Sequence, residues 1–262
     1  MTRVRLDQLL VDRALASSRA AAQALIMAGE VSLAGAEGRS LKPGQLVAAD
    51  SELAIAARPR WASRGGDKLE AALDAFAVDP TGLACLDAGA STGGFTDLLL
   101  ARGARIVYAV DVGRGQLLDR LAREPRVVSM ERTNLRTLKE LPEPIDLAVL
   151  DLSFISLRLV LPAVRELVRR EGRVIALVKP QFEAGRGAVP RGGVVRDPAT
   201  HRSVLLRVGE DAVDAGFAPM ALIGSPIAGA EGNREFLALL GPVIGSPPAW
   251  SSLVDALVPS AV

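Results

Sequence analysis

Short apolar runs alternate with segments of helical spacing from Ser63 to about residue 240. The apolar runs predict strands at Leu83–Asp87, Arg105–Val110, Arg126–Met130, Ile145–Leu150, Val174–Val178, Phe217–Ile223 and Glu235–Leu240. The segments between them predict helices near Lys68–Phe76, Phe95–Arg102, Gln116–Ala122, Leu157–Arg170 and His201–Ala215. This alternation is typical of a doubly wound parallel sheet. We therefore predict an α/β domain with a seven-stranded sheet, in which the last two strands form a hairpin with one antiparallel member.

The N-terminal region follows a different pattern. Leu6, Leu9 and Leu10 have the spacing of one helix face, and Ser17-Ser18 can cap a second helix over Arg19–Ala28. Two short strands are predicted after these helices, at Val31–Leu33 and Leu53–Ala57. We predict a small α+β domain at residues 1–58, a linker at 59–63, the α/β domain at 64–245 and a tail at 246–262.

A glycine-rich turn, Asp87-Ala-Gly-Ala-Ser-Thr-Gly-Gly94, joins the first strand of the α/β domain to a helix. Such a turn lets the backbone approach a ligand that contains ribose and adenine. Asp111 ends the next strand, where a carboxylate can accept hydrogen bonds from ribose hydroxyls, and Asn134 can bond an adenine edge or be an ordinary loop residue. These positions suit NAD and S-adenosylmethionine alike. The turn lacks the Gly-x-Gly-x-x-Gly spacing that accommodates a pyrophosphate, and its acidic start suits a cationic sulfonium better.

Charged residues at later strand ends suggest the chemistry. Asp151 and Lys179 follow consecutive strands, and ligands of such sheets bind at these ends. Together with Lys68 and Glu235 they form a polar set that a protein core would not tolerate unless its members were paired. The residues predicted to bind the cofactor are Asp87, Gly89, Ala90, Ser91, Gly93, Gly94, Phe95, Asp111, Asn134 and Asp151.

Composition narrows the class of protein. With 49% hydrophobic and 23% charged residues, the chain is globular. Residues 1–64 hold nine Lys/Arg against six Asp/Glu, a balance of +3, which is compatible with nucleic-acid contact. A single cysteine, Cys85, excludes an intramolecular disulfide, and with one histidine no metal site can be assembled. Charges interrupt the N-terminus and prolines interrupt the longest uncharged run, Phe236–Val254, so we expect a cytoplasmic protein without a membrane segment.

The N-terminal run from Arg5 to Val31 resembles the S4 RNA-binding domain, which implies that a helix pair presents Arg3, Arg5 and Arg19 to structured RNA. The rival interpretation is that these arginines only solvate a small domain. Five further motifs resemble the TlyA family: Ser63-Arg-Gly-Gly-Asp-Lys68, Asp87–Asp97, Val149-Leu-Asp-Leu-Ser-Phe-Ile-Ser156, Val178-Lys-Pro-Gln-Phe-Glu183 and Gly232-Asn-Arg-Glu-Phe236. Members of that family are S4-containing ribosomal RNA 2′-O-methyltransferases, often labelled hemolysins, with a catalytic body of the FtsJ/RrmJ class.

The resemblance implies a Rossmann-like class I methyltransferase domain that uses S-adenosylmethionine. It implies a catalytic set on Lys68, Asp151, Lys179 and Glu235, with Glu231 as a nearby competitor for the last role. We expect Lys179 to stabilise the developing alkoxide of a ribose 2′-hydroxyl, held by Asp151 and Glu235, while Lys68 completes the charge balance. The implied substrate is cytidine in 23S, and in some members 16S, ribosomal RNA within ribosomal subunits.

The long segment Pro180–Ala199 is hypothesised to close over the target nucleotide, with a flexible surface connection as the rival. The residues predicted to bind RNA are Arg3, Arg5, Arg19, Arg64, Arg186, Arg191 and Arg196. Two alternative functions stay open. A nucleotide-dependent oxidoreductase would use the same fold, although the glycine spacing disfavours it. A pore-forming hemolysin is suggested only by the label of the family.

Overall fold

A computed structural model of the chain describes residues 3–16, 18–27, 31–33, 41–55, 60–185, 189–190, 192–229, 232–242 and 249–259. The chain divides into two compact units, Met1–Arg60 and Trp61–Val262. The division between them falls within residues 59–63, the segment interpreted as a linker.

The N-terminal unit combines two helices with two small antiparallel sheets. Its elements are β1 (Arg3–Arg5), α1 (Leu6–Asp12), α2 (Arg19–Met27), β2 (Val31–Leu33), β3 (Leu46–Ala48) and β4 (Leu53–Ile55). Strand β1 pairs with β3 and β2 pairs with β4. Leu6, Leu9 and Leu10 are buried, as their spacing predicts, and the Ser18 hydroxyl accepts a hydrogen bond from the Ala21 amide at 3.2 Å. Strands β1 and β3 were not predicted from the sequence.

The C-terminal unit is built on the seven-stranded sheet that the sequence predicts. Its strands are β5 (Ala84–Ala88), β6 (Ile106–Val110), β7 (Val127–Met130), β8 (Ile145–Leu150), β9 (Val168–Val178), β10 (Ala218–Gly224) and β11 (Phe236–Gly241). They lie in the order β10-β11-β9-β8-β5-β6-β7. Strand β11 is antiparallel to both of its neighbours, and the remaining pairs are parallel. The class I methyltransferase sheet with one antiparallel strand is therefore confirmed.

Helices cover both faces of this sheet. They are α3 (Gly65–Ala75), α4 (Gly94–Ala101), α5 (Asp119–Ala122), α6 (Leu161–Leu167), α7 (Pro180–Glu183), α8 (Pro198–Asp214) and α9 (Trp250–Leu257). Successive strand residues point to opposite faces, so Cys85 joins a core with α3 and α4 whereas Leu86 joins a second core with α6, α8 and α9. Burial raises the pKa of the Cys85 thiol to about 12, which leaves it unreactive. Among the residues described, no helix has the length and apolarity needed to cross a membrane.

Two sequence interpretations need correction. The helix predicted at Leu157–Arg170 ends at Leu167, because Val168 already pairs with Ile145 at the start of β9. The periodicity of the local sequence gives no information about a pairing between residues that are distant in the chain. The segment interpreted as a tail contains α9, whose Trp250 indole donates to the Leu205 carbonyl at 2.7 Å and whose Val254 is buried. Pro242, Pro247 and Pro248 precede α9 and led to the interpretation of this segment as a tail.

Candidate active site

A polar pocket of about 240 Å³ lies at the carboxyl ends of β5 and β8. This is the edge at which sheets of this kind bind ligands. The residues that line it are Ser63, Arg64, Gly65, Lys68, Asp87, Gly89, Ala90, Ser91, Thr92, Gly94, Phe95, Asp151, Ala228 and Gly229. Seven of the predicted cofactor residues are in this lining: Asp87, Gly89, Ala90, Ser91, Gly94, Phe95 and Asp151.

The glycine turn brings its backbone against the end of β8. Gly89 has a φ of +88°, and a Cβ atom there would lie 2.3 Å from the Asp151 carbonyl oxygen. Gly93 has a φ of +97° and caps α4, although it does not line the pocket. Glycine is therefore required at position 89 by both conformation and space, and the turn leaves the pocket floor free of side chains there.

Asp87 is a buried carboxylate with one unused oxygen. Its Oδ2 accepts hydrogen bonds from the Thr96 amide at 2.9 Å and the Thr96 hydroxyl at 2.6 Å. Its Oδ1 has no hydrogen-bond partner within the described part of the chain. Burial raises the pKa of Asp87 to about 7, and the nearby Asp151 charge adds to this increase against the Thr96 hydrogen bonds. A cationic group bound in the pocket would therefore favour the ionised form of this carboxyl group.

Three predicted cofactor residues, Gly93, Asp111 and Asn134, are not in this lining. The Asp111 carboxylate accepts hydrogen bonds from the Ser91 amide at 2.8 Å and the Gly113 amide at 2.6 Å. It thus connects the glycine turn to the end of β6. Asn134 is exposed, and its side-chain oxygen accepts a hydrogen bond from the Arg136 amide at 3.1 Å. In this structure Asn134 caps a short 3₁₀ turn.

The four predicted catalytic residues form two ion pairs, and one member of each pair, Lys68 and Asp151, lines the pocket. The Lys179 Nζ lies 2.7 Å from Asp151 Oδ1, and the Lys68 Nζ lies 2.5 Å from Glu235 Oε2. Lys68 and Glu235 are 9% and 2% exposed. We expected the Glu235 carboxylate to hold Lys179. This expectation is wrong, because the Glu235 carboxylate pairs with Lys68. Glu231 lies outside the described residues.

A loop after β8 supplies contacts that the sequence did not suggest. The Lys179 ammonium donates to the Ser153 hydroxyl at 3.0 Å. The Glu183 carboxylate at the end of α7 accepts hydrogen bonds from the Ser156 hydroxyl at 2.6 Å and the Leu157 amide at 2.9 Å. Burial raises the pKa of Glu183. Ser153, Ser156 and Glu183 belong to motifs noted in the sequence, but only the three-dimensional structure shows which residues they contact.

The predicted RNA-binding arginines are distributed over both units. Arg5 and Arg19 of the N-terminal unit contact the carboxylate of Asp7, and Arg3 is exposed. In the C-terminal unit Arg64 lines the pocket and Arg196 is exposed. Arg186 and Arg191 lie outside the described residues.

His201 makes its contacts inside the C-terminal unit. The buried His201 ring contacts the Val195 carbonyl oxygen through Nε2 at 2.9 Å, and burial lowers its pKa. No cluster of three or more His, Cys, Asp or Glu side chains suited to a metal occurs in the described ranges.

The arrangement has the features of a site for attack by a hydroxyl oxygen. An ammonium held by a carboxylate and a hydroxyl can stabilise negative charge that develops on an oxygen beside it. Asp151 belongs both to this ion pair and to the lining of the polar pocket. A ligand in the pocket would therefore sit next to the ion pair.

Known proteins resemble the chain over most of its length. The model of the FtsJ-like methyltransferase family matches residues 61–241. The 16S/23S rRNA (cytidine-2'-O)-methyltransferase TlyA of Mycobacterium tuberculosis is 47% identical over 240 residues, which cover 89% of this chain and 88% of that protein. Hemolysin A of Brachyspira hyodysenteriae is 38% identical over 241 residues, 90% of this chain and 98% of that protein. A solved structure from Streptococcus thermophilus, described as a hemolysin, is 42% identical with a TM-score of 0.73 and covers 98% of this chain and 96% of its own.

Proposed function

Because this chain belongs to the TlyA family of FtsJ-like methyltransferases, we propose that it methylates the ribose 2′-hydroxyl of a cytidine in ribosomal RNA. The M. tuberculosis relative bears the name of this reaction on 16S and 23S rRNA. We assign the present chain the same substrates, presented within ribosomal subunits in the cytoplasm. The oxidoreductase alternative has no support from the family.

One observation carries the proposal. Asp151 lines the polar pocket and also holds the Lys179 ammonium at 2.7 Å. A methyl donor bound in the pocket and a hydroxyl group bound at the Lys179 ammonium would therefore both lie next to the Asp151 carboxylate. Effective methyl transfer depends on this kind of positioning.

The pocket residues suit S-adenosylmethionine. The unpaired Asp87 Oδ1 and the neighbouring Asp151 favour a ligand with positive charge, and the close approach at Gly89 provides a bare backbone surface. Each Asp111 oxygen accepts one backbone hydrogen bond and keeps capacity for a ribose hydroxyl. When bound, S-adenosylmethionine would supply the methyl group from its sulfonium.

We assign the substrate-side chemistry to Lys179. The ammonium forms an ion pair with Asp151 and donates a hydrogen bond to the Ser153 hydroxyl. Because an ammonium has three N–H groups, donor capacity is left for the incoming 2′-oxygen. A ribose hydroxyl is a weak nucleophile at neutral pH, and this contact would orient it and stabilise the alkoxide as it forms. Glu235 neutralises the charge of Lys68, which lines the pocket.

We propose that the N-terminal unit delivers the RNA, as an S4-like domain over residues 1–58 attached to a catalytic domain at 64–245. The half-exposed guanidinium groups of Arg5 and Arg19 support this role, because phosphate contacts from arginine orient RNA-binding domains on their substrates. Arg64, at the pocket, and Arg196 would contact the RNA strand near the target nucleotide. Arg186 and Arg191 are assigned the same task from the sequence alone.

The test is methyl transfer from tritiated S-adenosylmethionine to separated ribosomal subunits, followed by mapping of the labelled ribose. We expect label on a cytidine 2′-oxygen and its loss in Lys179→Ala, with S-adenosylmethionine affinity unchanged in a calorimeter. Lys139→Ala, at an exposed lysine, is the matched control and should retain activity. Substantial methylation by Lys179→Ala would refute the assignment of this lysine, and label on a base would refute the reaction.

The hemolysin names of two relatives raise membrane damage as a second candidate. Purified protein incubated with dye-loaded liposomes tests it directly. Dye release at protein concentrations that support methylation would favour this candidate.

A further inference from the structure

Asp7 is a buried carboxylate in the first turn of α1, and it accepts hydrogen bonds from side chains of strand β1 and helix α2. Its Oδ1 accepts a hydrogen bond from Arg5 Nε at 3.0 Å. Its Oδ2 accepts from Arg5 Nη2 at 2.9 Å, Gln23 Nε2 at 3.0 Å and Arg19 Nη2 at 3.3 Å. Among the described residues of the N-terminal unit, no other charged side chain is buried.

The same carboxylate fixes two guanidinium groups that remain half-exposed. Arg5 and Arg19 are 47% and 52% exposed, although both contact Asp7 Oδ2. Arg5 is also bounded on another side by backbone, since a Cβ atom at Gly44 would lie 3.3 Å from both of its terminal nitrogens. Arg5 uses Nε and Nη2 for Asp7, and Arg19 uses one Nη2, so several N–H groups of both side chains stay available to a ligand.

We propose that Asp7 is the organising residue of a phosphate clamp, in which Arg5 and Arg19 are held side by side to grip the backbone of structured RNA. This inference rests on the proposed function, since it assumes that the N-terminal unit binds RNA. Two free arginine side chains would repel each other and would lose rotamer freedom on binding. Because the Asp7 carboxylate holds both side chains in the free protein, the repulsion and the loss of rotamer freedom no longer oppose RNA binding. The bidentate hydrogen bond from Arg5 keeps the pKa of Asp7 well below its usual range, so the clamp stays charged at neutral and mildly acidic pH.

The clamp predicts that removal of the negative charge of Asp7 weakens RNA binding. Removal of a negative charge from an RNA-binding surface should strengthen binding by simple electrostatics. If Asp7 instead organises the arginines, Asp7→Asn should weaken binding to purified ribosomal subunits about tenfold, from the cost of ordering two long side chains. The slope of log affinity against log salt concentration should also become shallower, by the amount that corresponds to about one to two phosphate contacts.

Asp50→Asn is the matched control, because Asp50 is an exposed carboxylate in the same unit. We expect its affinity for subunits to be unchanged or slightly higher. Full-length wild type, Asp7→Asn and Asp50→Asn are compared by fluorescence anisotropy or filter binding, with heparin as a polyanion that lacks RNA shape. Asp7→Asn that binds subunits as tightly as Asp50→Asn would overturn the proposal. A wild type that binds neither subunit would instead overturn the proposed function.

A double-mutant cycle separates positioning from simple stabilisation of the fold. In the Arg5→Ala/Arg19→Ala background, Asp7→Asn should cause no further loss of RNA affinity, whereas an equal additional loss would overturn the clamp. Hydrogen exchange of the N-terminal unit shows whether Asp7→Asn remains folded. If it unfolds, Gln23→Leu takes its place, since it removes one neutral donor to Asp7 without changing charge. Weaker subunit binding by folded Gln23→Leu supports the clamp, and unchanged binding overturns it.

Discussion

The Lys68–Glu235 ion pair offers a direct test of the site architecture. The two charged groups lie 2.5 Å apart and are separated by 167 residues in sequence. Glu235 cannot swing away easily, because a Cβ atom at Gly229 would already lie 2.1 Å from its Oε1. Lys68→Met therefore leaves a carboxylate in an enclosed position without its partner.

The expected cost follows from burial. Removal of one member of a buried ion pair destabilises a protein by about 3–5 kcal/mol. The Lys68 side chain keeps 11% exposure at the pocket, so we expect the lower end, about 3 kcal/mol, for Glu235→Leu and more for Lys68→Met. With a denaturation slope of about 2 kcal/mol per molar urea, the midpoint should fall by about 1.5 M. The double variant Lys68→Met/Glu235→Leu should recover most of this stability, since an apolar pair can replace a buried ion pair at little cost.

Urea unfolding followed by tryptophan fluorescence measures this effect selectively. Both tryptophans of the chain, Trp61 and Trp250, belong to the C-terminal unit, so the signal reports its unfolding. The double variant should be stable but inactive in methyl transfer, which separates the structural from the chemical task of the pair. A wild-type midpoint in both single variants, or a double variant no more stable than the weaker single one, would refute the buried pairing.

Two further predictions concern carboxylates whose pKa is raised. Because the folded pKa of Asp87 lies near 7, its contribution to stability is present below about pH 4 and is lost as pH rises to 7, by at most about 1.4 kcal/mol per pH unit. Thermal unfolding without ligand should thus show Asp87→Asn gaining stability relative to wild type as pH rises, and a difference independent of pH would contradict this. Glu183→Ala should lower turnover about 10- to 100-fold with unchanged S-adenosylmethionine affinity, because the loop that bears Ser153 loses its anchor. Single-turnover kinetics with exposed Glu171→Ala as control measure this, and equal rates in the two variants would argue against the anchor.

The sequence by itself determined the features that depend on local pattern. Apolar runs long enough to show their spacing identified the seven strands, and the glycine turn was readable because only glycine tolerates the φ of +88° at position 89. Asp151 and Lys179 were predictable as neighbours, since the ends of adjacent parallel strands meet at one edge.

Only the tertiary structure decided which charges pair and which segments pack. Glu235 lies one position before the Phe236–Val178 pairing, beside Lys179, yet its carboxylate reaches Lys68 on α3. Helix α9 packs against α8, where the Trp250 indole donates to the Leu205 carbonyl and Val254 is buried. Asp7 likewise holds two arginines from separate elements, Arg5 of β1 and Arg19 of α2. Ion pairs and packing depend on distances across the fold, and a chain pattern contains no such distances until the sheet and its helices bring the residues together.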